Sequence, residues 1–288
     1  MKKTTRLKEL LYAKEIVAAP GAHDVMTAKI IEKVGFDMAY MTGYGTAAST
    51  LGKPDIGLLC MSEMLDRARK LATATNIPIV ADGDTGFGNA VTLMRTIEDF
   101  EDAGVAGIQL EDQIAPKRCG HMAGRKVVSM EEMIGKIEAA ITARKDPDFV
   151  IIARTDARTS LGIDEAIKRA LAYEKAGADA IFVESIETIE EMKWINQVIK
   201  APTIVNIVEG GRTPQLTDKE LEELGFNLVI HPVASTYVIA KAVFDLMHAL
   251  KRDGSTKAFA DKMITFNEFN ELIGLGEYSK YEDLFVRD

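Results

Sequence analysis

Short apolar runs recur along the chain, and stretches with apolar residues at every third or fourth position separate them. Runs that are apolar almost throughout are typical of strands buried on both faces, and the spacing of the intervening stretches is typical of amphipathic helices. The pattern predicts eight strands, near residues 16–18, 38–41, 77–81, 106–110, 149–153, 180–183, 203–206 and 227–230.

Glycine closes several of the predicted helices shortly before the next strand. Helices commonly end in a left-handed residue, and glycine adopts that conformation at the least cost. The matching positions are Gly35, Gly104, Gly177 and Gly225. Capping boxes, which pair a hydroxyl with a glutamate three residues later, are predicted at Ser129 with Glu132, Thr188 with Glu191 and Thr217 with Glu220.

Eight strands alternating with helices predict an α/β fold, a (β/α)8 TIM barrel, and we assign residues 1–288 to a single domain of this kind. A doubly wound sheet is the main alternative. That fold would usually have fewer strands and a glycine-rich phosphate-binding turn after the first one, and residues 19–23 are not such a turn.

Residues 256–288 lie beyond the eighth unit and are predicted to form a C-terminal helical extension. An apolar helical face is expected there, made of Phe259, Met263, Ile264, Phe266, Phe269 and Leu272. This face would pack either on its own barrel or on a neighbouring subunit, and the pattern alone leaves both open.

The composition restricts the range of functions. A net charge of −9 argues against a nucleic-acid partner, which would need a basic face. No apolar run reaches the roughly 18 residues of a membrane span, and the N-terminus lacks the apolar stretch of a signal peptide, so we expect a cytoplasmic protein. The two cysteines do not make a disulfide framework, and Cys60, in an apolar segment, is predicted to be a core residue.

Acidic residues follow the predicted strands where these end. The carboxyl ends of barrel strands meet at one mouth, so Asp82, Asp84 and Glu111 are expected to converge there, and Asp55 could join them from the loop after the second strand. Carboxylate oxygens without histidine or thiol partners favour Mg2+ or Mn2+ over Zn2+. We therefore predict a magnesium site, although an Asp-Gly-Asp segment taken alone is also typical of a turn.

A buried cation and a long loop complete the set of candidates. Arg154 ends an apolar strand and needs an anionic partner, which would be either a substrate carboxylate or an internal one, Glu184 or Asp156. The loop 113–128 is long for a strand-to-helix connection, which is typical of lids. Its cationic residues would lower the pKa of the Cys119 thiol and make it a usable acid or base, whereas an exposed cysteine without function is the alternative.

Several segments together resemble the isocitrate lyase/phosphoenolpyruvate mutase superfamily. The resemblance extends in order over nearly the whole chain, through residues 40–45, 51–55, 82–88, 111–113, 117–121 and 152–157. The segment Lys117-Arg118-Cys119-Gly120-His121 is specific to the lyase branch. Residues 42–45 and 122–125 are more similar to the 2,3-dimethylmalate lyase type than to the 2-methylisocitrate lyase type.

The resemblance implies a role for each candidate residue. Asp82 would bind Mg2+ directly, and its waters would be held by Asp55, Asp84 and Glu111. Catalysis is assigned to Cys119, Tyr40, Lys117 and His121. Substrate binding is assigned to Thr42, Gly43, Tyr44, Arg118, Gly120, Arg154, Glu184 and Asn206.

The implied reaction is Mg2+-dependent cleavage of the C2–C3 bond in a small di- or tricarboxylic 2-hydroxy acid, a substituted malate or a methylisocitrate-like acid. Tyr40 would take the hydroxyl proton, and Cys119 would protonate the enediolate carbon, giving pyruvate with propionate or succinate. The resemblance also implies a homotetramer that exchanges a C-terminal helix. The alternatives are carboxyphosphonoenolpyruvate phosphonomutase chemistry, oxaloacetate hydrolysis or decarboxylation, and a non-catalytic binding barrel.

Overall fold

The computed structural model describes residues 1–120 and 124–287, so the candidate His121 lies outside the described residues. The chain divides into two compact units, Met1–Ala234 and Ser235–Asp288. This division falls before residue 256, where the helical extension was predicted to begin. The assignment of the whole chain to one domain stays a prediction.

Eight parallel strands form the first unit and close into a barrel, because β8 pairs with β1. The strands are β1 Val17–Ala22, β2 Ala39–Met41, β3 Ile79–Asp82, β4 Gly107–Glu111, β5 Val150–Thr155, β6 Ala180–Val183, β7 Thr203–Asn206 and β8 Leu228–His231. The helices are α1 Lys3–Leu11, α2 Val25–Val34, α3 Gly43–Leu51, α4 Met61–Ala74, α5 Ala90–Asp102, α6 Met130–Ala143, α7 Ala157–Leu161, α8 Ile163–Lys175, α9 Ile189–Val198 and α10 Asp218–Glu223. The predicted (β/α)8 barrel is confirmed, and the doubly wound alternative is wrong.

Two apolar layers hold the barrel together. The larger lies between strands and helices, and the smaller fills the barrel with side chains such as Val80, Ile152 and Phe182. Leu7 and Leu11 of α1 belong to the smaller cluster, so this helix contributes to the interior packing.

The predicted helix ends are largely as observed. The glycines that close α2, α5, α8 and α10 all have positive φ, at Gly35, Gly104, Gly177 and Gly225. Capping boxes form at Thr188 and Thr217, while Ser129 accepts a hydrogen bond from the Glu132 amide.

The prediction for Cys60 is wrong. This cysteine is exposed and immediately precedes α4, and its amide donates to the Glu63 carboxylate at 2.9 Å. Its place at a helix start, where the first amides need acceptors, explains why it does not lie in the core.

The second unit is helical, with α11 Ala234–Asp253, a 3-10 turn Lys257–Lys262, α12 Phe266–Ile273 and α13 Leu275–Phe285. The single apolar helical face predicted for the extension is wrong, because Thr265 caps a new helix and separates Phe259 from Phe266. Within residues 1–120 and 124–287, no helix combines the length and the apolar character needed to cross a membrane.

Candidate active site

The carboxyl ends of the strands carry a ring of buried polar side chains. Asp82 ends β3, Glu111 ends β4, Arg154 lies near the end of β5, Glu184 follows β6 and Asn206 ends β7. Strand register places Glu111 directly beside Arg154. The predicted convergence of these residues at one mouth is what the barrel produces.

Asp82 is fixed by backbone amides. One carboxylate oxygen accepts from the Gly43 amide at 3.2 Å, and the other accepts from the Asp84 amide at 3.0 Å. Asp84 has a positive φ of 47°, an uncommon conformation for a residue with a side chain. The turn after β3 is therefore shaped around the Asp82 carboxylate.

Lys117 lies among the predicted metal ligands. Its ammonium is 2.6 Å from an Asp55 oxygen and 2.7 Å from an Asp84 oxygen. Burial alone would lower the pKa of Lys117, but the negative charges of Asp84, Asp82, Asp55 and Glu111 outweigh it and raise that pKa well above its usual value. The negative charges of all four carboxylates therefore stabilise one positive charge, the ammonium of Lys117.

The donor set of this cluster suits a hard divalent ion. Within the described part of the chain, no three acidic, histidine or cysteine side chains are arranged as direct ligands of one ion. Mg2+ needs only one or two direct carboxylates and keeps several waters. Burial raises the pKa of Asp84 to about 7 against the opposing effect of Lys117, and burial also raises the pKa of Glu111. Because Lys117 alone does not offset the cost of ionising these buried carboxylates, the cluster fits an additional cation that carries two charges.

Arg154 already has internal partners. Its guanidinium donates to both oxygens of Asp156, at 3.0 and 2.9 Å, and lies 3.4 Å from Glu111 and 3.5 Å from Glu184. The internal ion pair left open by the sequence is thus present. Binding of a substrate carboxylate by Arg154 stays a prediction.

The segment Arg118–Gly120 of the lid loop is bound to the barrel through its backbone. The Cys119 amide donates to the Asp55 carbonyl at 3.1 Å, and the Gly120 carbonyl accepts from the Ser185 hydroxyl at 2.7 Å. A Cβ on Gly120 would lie 2.6 Å from an Arg154 nitrogen and 2.8 Å from the Glu184 carboxyl carbon. Glycine is therefore required for this close approach, which places the Cys119 backbone beside the mouth.

The start of α3 contributes to the same region. Thr42 precedes this helix, and its hydroxyl accepts from the Gly45 amide at 3.3 Å. The Gly43 amide is directed at Asp82, so it serves the carboxylate site in this structure. Tyr44 is half-buried. Substrate binding by these residues stays a prediction.

Tyr40 lies inside the barrel, where its hydroxyl donates to the Gln109 side chain at 2.8 Å. Burial, followed by the charge of Asp82, raises the pKa of Tyr40 well above its ordinary value. The neutral phenol is therefore the form present at neutral pH, which does not favour Tyr40 as a base in the absence of a metal ion.

Sequence reasoning did not identify several residues that organise this mouth. Gln113 binds both Glu111 and Arg118, and Arg125 binds Asp156, Thr159 and Ser185. Asp156 was considered only as a possible partner of Arg154. Gln113 could have been noticed from its place next to Glu111, but Ser185 gives no signal in the sequence.

These features define a barrel whose mouth carries buried carboxylates and an arginine, with the backbone of Cys119 beside them. The sequence model of phosphoenolpyruvate phosphomutase matches residues 7–251. The chain is 58% identical over 282 residues to 2,3-dimethylmalate lyase of Eubacterium barkeri, with 98% of each chain covered.

Two solved structures extend the comparison. A crystal structure of 2,3-dimethylmalate lyase has a TM-score of 0.93 at 35% identity, covering 99% of this chain and 95% of that one. Phosphonopyruvate hydrolase in complex with oxalate and Mg2+ has a TM-score of 0.91 at 33% identity, with full coverage of both chains. The chain belongs to the phosphoenolpyruvate mutase/isocitrate lyase superfamily, and its relatives indicate a carbon–carbon lyase.

Proposed function

We propose that this protein is a Mg2+-dependent lyase that cleaves 2,3-dimethylmalate, or a malate with similar alkyl groups, into pyruvate and propionate. The observation that carries the proposal is the group of buried carboxylates around Lys117, with Arg154 and Cys119 at the same mouth. Its similarity to 2,3-dimethylmalate lyase supports the choice of substrate. The Mg2+ in the solved complex of phosphonopyruvate hydrolase supports the choice of ion.

The residues that would hold the ion are Asp82 directly, with Asp55, Asp84 and Glu111 binding its waters. A bound Mg2+ would lower the cost of ionising the 2-hydroxyl of the substrate. Arg154 would bind a substrate carboxylate in place of part of its contact with Glu111 or Glu184. Thr42, Gly43 and Tyr44 would bind the 2-oxo acid half, and Asn206 with Glu184 would contact the other half.

The chain's own groups would move two protons. A base takes the 2-hydroxyl proton, the C2–C3 bond breaks, and its electron pair passes into the carboxylate of the leaving half as an enediolate. Tyr40 stays the candidate base, since a divalent cation would offset the negative charges of Asp82, Glu111 and Asp84 that help to keep its phenol protonated. Cys119 then donates its proton to the enediolate carbon. Lys117, Arg118 and His121 of the lid loop would stabilise the negative charge.

Phosphonate chemistry is a second candidate, which the likeness to phosphonopyruvate hydrolase favours. A substrate panel separates the two. Each of 2,3-dimethylmalate, methylisocitrate, isocitrate, oxaloacetate and phosphonopyruvate is incubated with enzyme and Mg2+, and the products are identified by chromatography. Pyruvate with propionate from dimethylmalate supports the proposal. Pyruvate with phosphate from phosphonopyruvate, and no cleavage of any alkylmalate, would replace it.

We further propose a cytoplasmic homotetramer in which a C-terminal helix is exchanged. Helix α11 exposes Val243, Phe244 and Met247, with 49%, 63% and 49% of their surfaces accessible, which is unusual for a chain that functions alone. Both cysteines are free thiols, as is usual in reducing compartments. The mass of the purified protein by light scattering tests the assembly, and a monomer at micromolar concentration would contradict it.

A further inference from the structure

Three consecutive residues of the lid loop, Arg118–Gly120, are held through their backbone by three groups outside this short segment. Gln113 binds Arg118, the Asp55 carbonyl binds the Cys119 amide, and Ser185 binds the Gly120 carbonyl. Cys119 is the middle residue of this segment. The position of its backbone beside the mouth is therefore set by hydrogen bonds at Cys119 itself and at the residues on both sides of it.

Gln113 makes the first of these attachments with its whole amide group. The Arg118 amide donates to the Gln113 oxygen at 3.0 Å, and the Gln113 nitrogen donates to the Arg118 carbonyl at 2.8 Å. The same nitrogen donates to a Glu111 oxygen at 2.8 Å. Reversing the amide would bring two donors together at Arg118, so the orientation is fixed. Gln113 thus joins the Arg118–Gly120 segment to a carboxylate of the proposed metal site.

Ser185 makes the last attachment from a strained backbone. Its φ of 60° lies in the left-handed region, which residues with a side chain seldom adopt. It is almost fully buried, and its hydroxyl donates to the Gly120 carbonyl at 2.7 Å while accepting from Arg125 at 3.0 Å. The Glu184 carboxylate is a weaker alternative acceptor at 3.2 Å. The strained backbone of Ser185 and the hydrogen bond from its hydroxyl to the Gly120 carbonyl together indicate a role beyond packing.

We propose that Gln113 and Ser185 are positioning residues that fix the Cys119 thiol above the barrel mouth. This inference rests on the proposed function, in which Cys119 is the proton donor. Neither side chain needs to contact the substrate for this role. Loosening either one leaves the other attachments in place, so the segment spends more time away from its bound position, and a thiol displaced from the mouth donates its proton less often.

The test uses the full-length enzyme in a Cys60→Ser background, in which Cys119 is the only thiol. Ser185→Ala removes the hydroxyl and keeps the strain, whereas Ser185→Gly removes both. We expect both variants to increase the rate of Cys119 alkylation by iodoacetamide about fivefold, the change produced by losing one ordinary hydrogen bond, and to decrease kcat by a smaller factor with little change in KM, because the bound position stays the more populated one. Gln113→Met, which loses both hydrogen bonds to Arg118, should increase Cys119 alkylation at least as much.

Stability and positioning are separated by two comparisons. Ser185→Gly should melt at a higher temperature than Ser185→Ala, yet both should alkylate equally fast. Thr217→Ala, which loses the capping hydroxyl of α10 without touching the lid loop, should lower the melting temperature and leave Cys119 alkylation unchanged.

The inference is overturned if both Ser185 variants alkylate within about twofold of the parent, or if alkylation follows melting temperature through all variants including Thr217→Ala. Faster alkylation in a protein that cleaves no alkylmalate would support the positioning role and refute the proposed function. Cleavage of dimethylmalate with unchanged alkylation would do the reverse.

Discussion

Gly43→Ala tests the carboxylate site through a change of one methyl group. A Cβ on Gly43 would lie 2.5 Å from Oδ2 of Asp82 and 3.1 Å from its Cγ. Side-chain atoms do not approach so closely, so the Asp82 carboxylate must retreat by about 0.5 Å or more, and its 3.2 Å hydrogen bond from the Gly43 amide weakens. Displacing a group that orients a metal ligand typically lowers metal affinity about 10–100-fold, and we expect a loss in that range for Mg2+.

The assay is titration calorimetry with Mg2+, together with the Mg2+ dependence of pyruvate release. Gly135→Ala is the matched control, because Gly135 lies within α6 and a Cβ there meets no atom within 4 Å. The control should bind Mg2+ like the parent and gain about 0.5–1 kcal/mol in the free energy of unfolding. If Gly43→Ala binds Mg2+ as tightly as Gly135→Ala, Asp82 is not the direct ligand.

Three further outcomes are expected. Cys119→Ser should lose most turnover but retain binding of Mg2+ and pyruvate by calorimetry, and turnover equal to the parent would exclude the thiol as the acid. Asp112→Asn should lower the free energy of unfolding by about 3–5 kcal/mol in urea, because it removes the buried charge that accepts from Arg169 at 3.0 Å and Tyr173 at 2.8 Å; a loss under about 1 kcal/mol would contradict this. Burial opposes ionisation of Asp156, but Arg154 and Arg125 outweigh it and lower the pKa of this carboxyl, so its contribution to stability is present above the usual pKa near 3.8 and is lost as pH falls through the lower folded-state pKa. Asp156→Asn should therefore lose less stability than the parent between about pH 5 and 3, measured by urea unfolding. An equal loss in the two proteins would refute the assignment.

The fold could be predicted from local signals. Continuous apolar runs located all eight strands within a few residues, and β6 and β7 have the predicted bounds. Glycines at helix ends, such as Gly35 and Gly177, marked where each helix stops before the next strand and so revealed the repeated helix-strand unit. These signals succeed because burial on two faces and a left-handed helix end each restrict the residue type at one position. The start of the helical extension was harder, because α11 follows β8 as a helix follows the other strands, and its pattern does not distinguish it from a barrel helix.

The part of the site that lies at the ends of strands could be predicted from the sequence. Asp82, Glu111 and Arg154 could be assigned to one mouth because parallel strands carry their carboxyl ends to the same side. The partners of each group could not, because they depend on contacts between distant segments: Lys117 with Asp55, and Ser185 with Gly120. No local pattern marks a serine that adopts φ of 60° to reach a loop 65 residues away.

The ammonium of Lys117 has a consequence for how this protein folds when no metal ion is bound. Carboxylates gathered at one buried point repel one another, and in many small metal-binding domains the metal is needed for folding. Here the chain supplies its own counter-ion from the lid loop, so the barrel should form before any ion arrives. Chelator-treated protein should accordingly stay folded and accept Mg2+ afterwards, with the lysine yielding its place among Asp55 and Asp84.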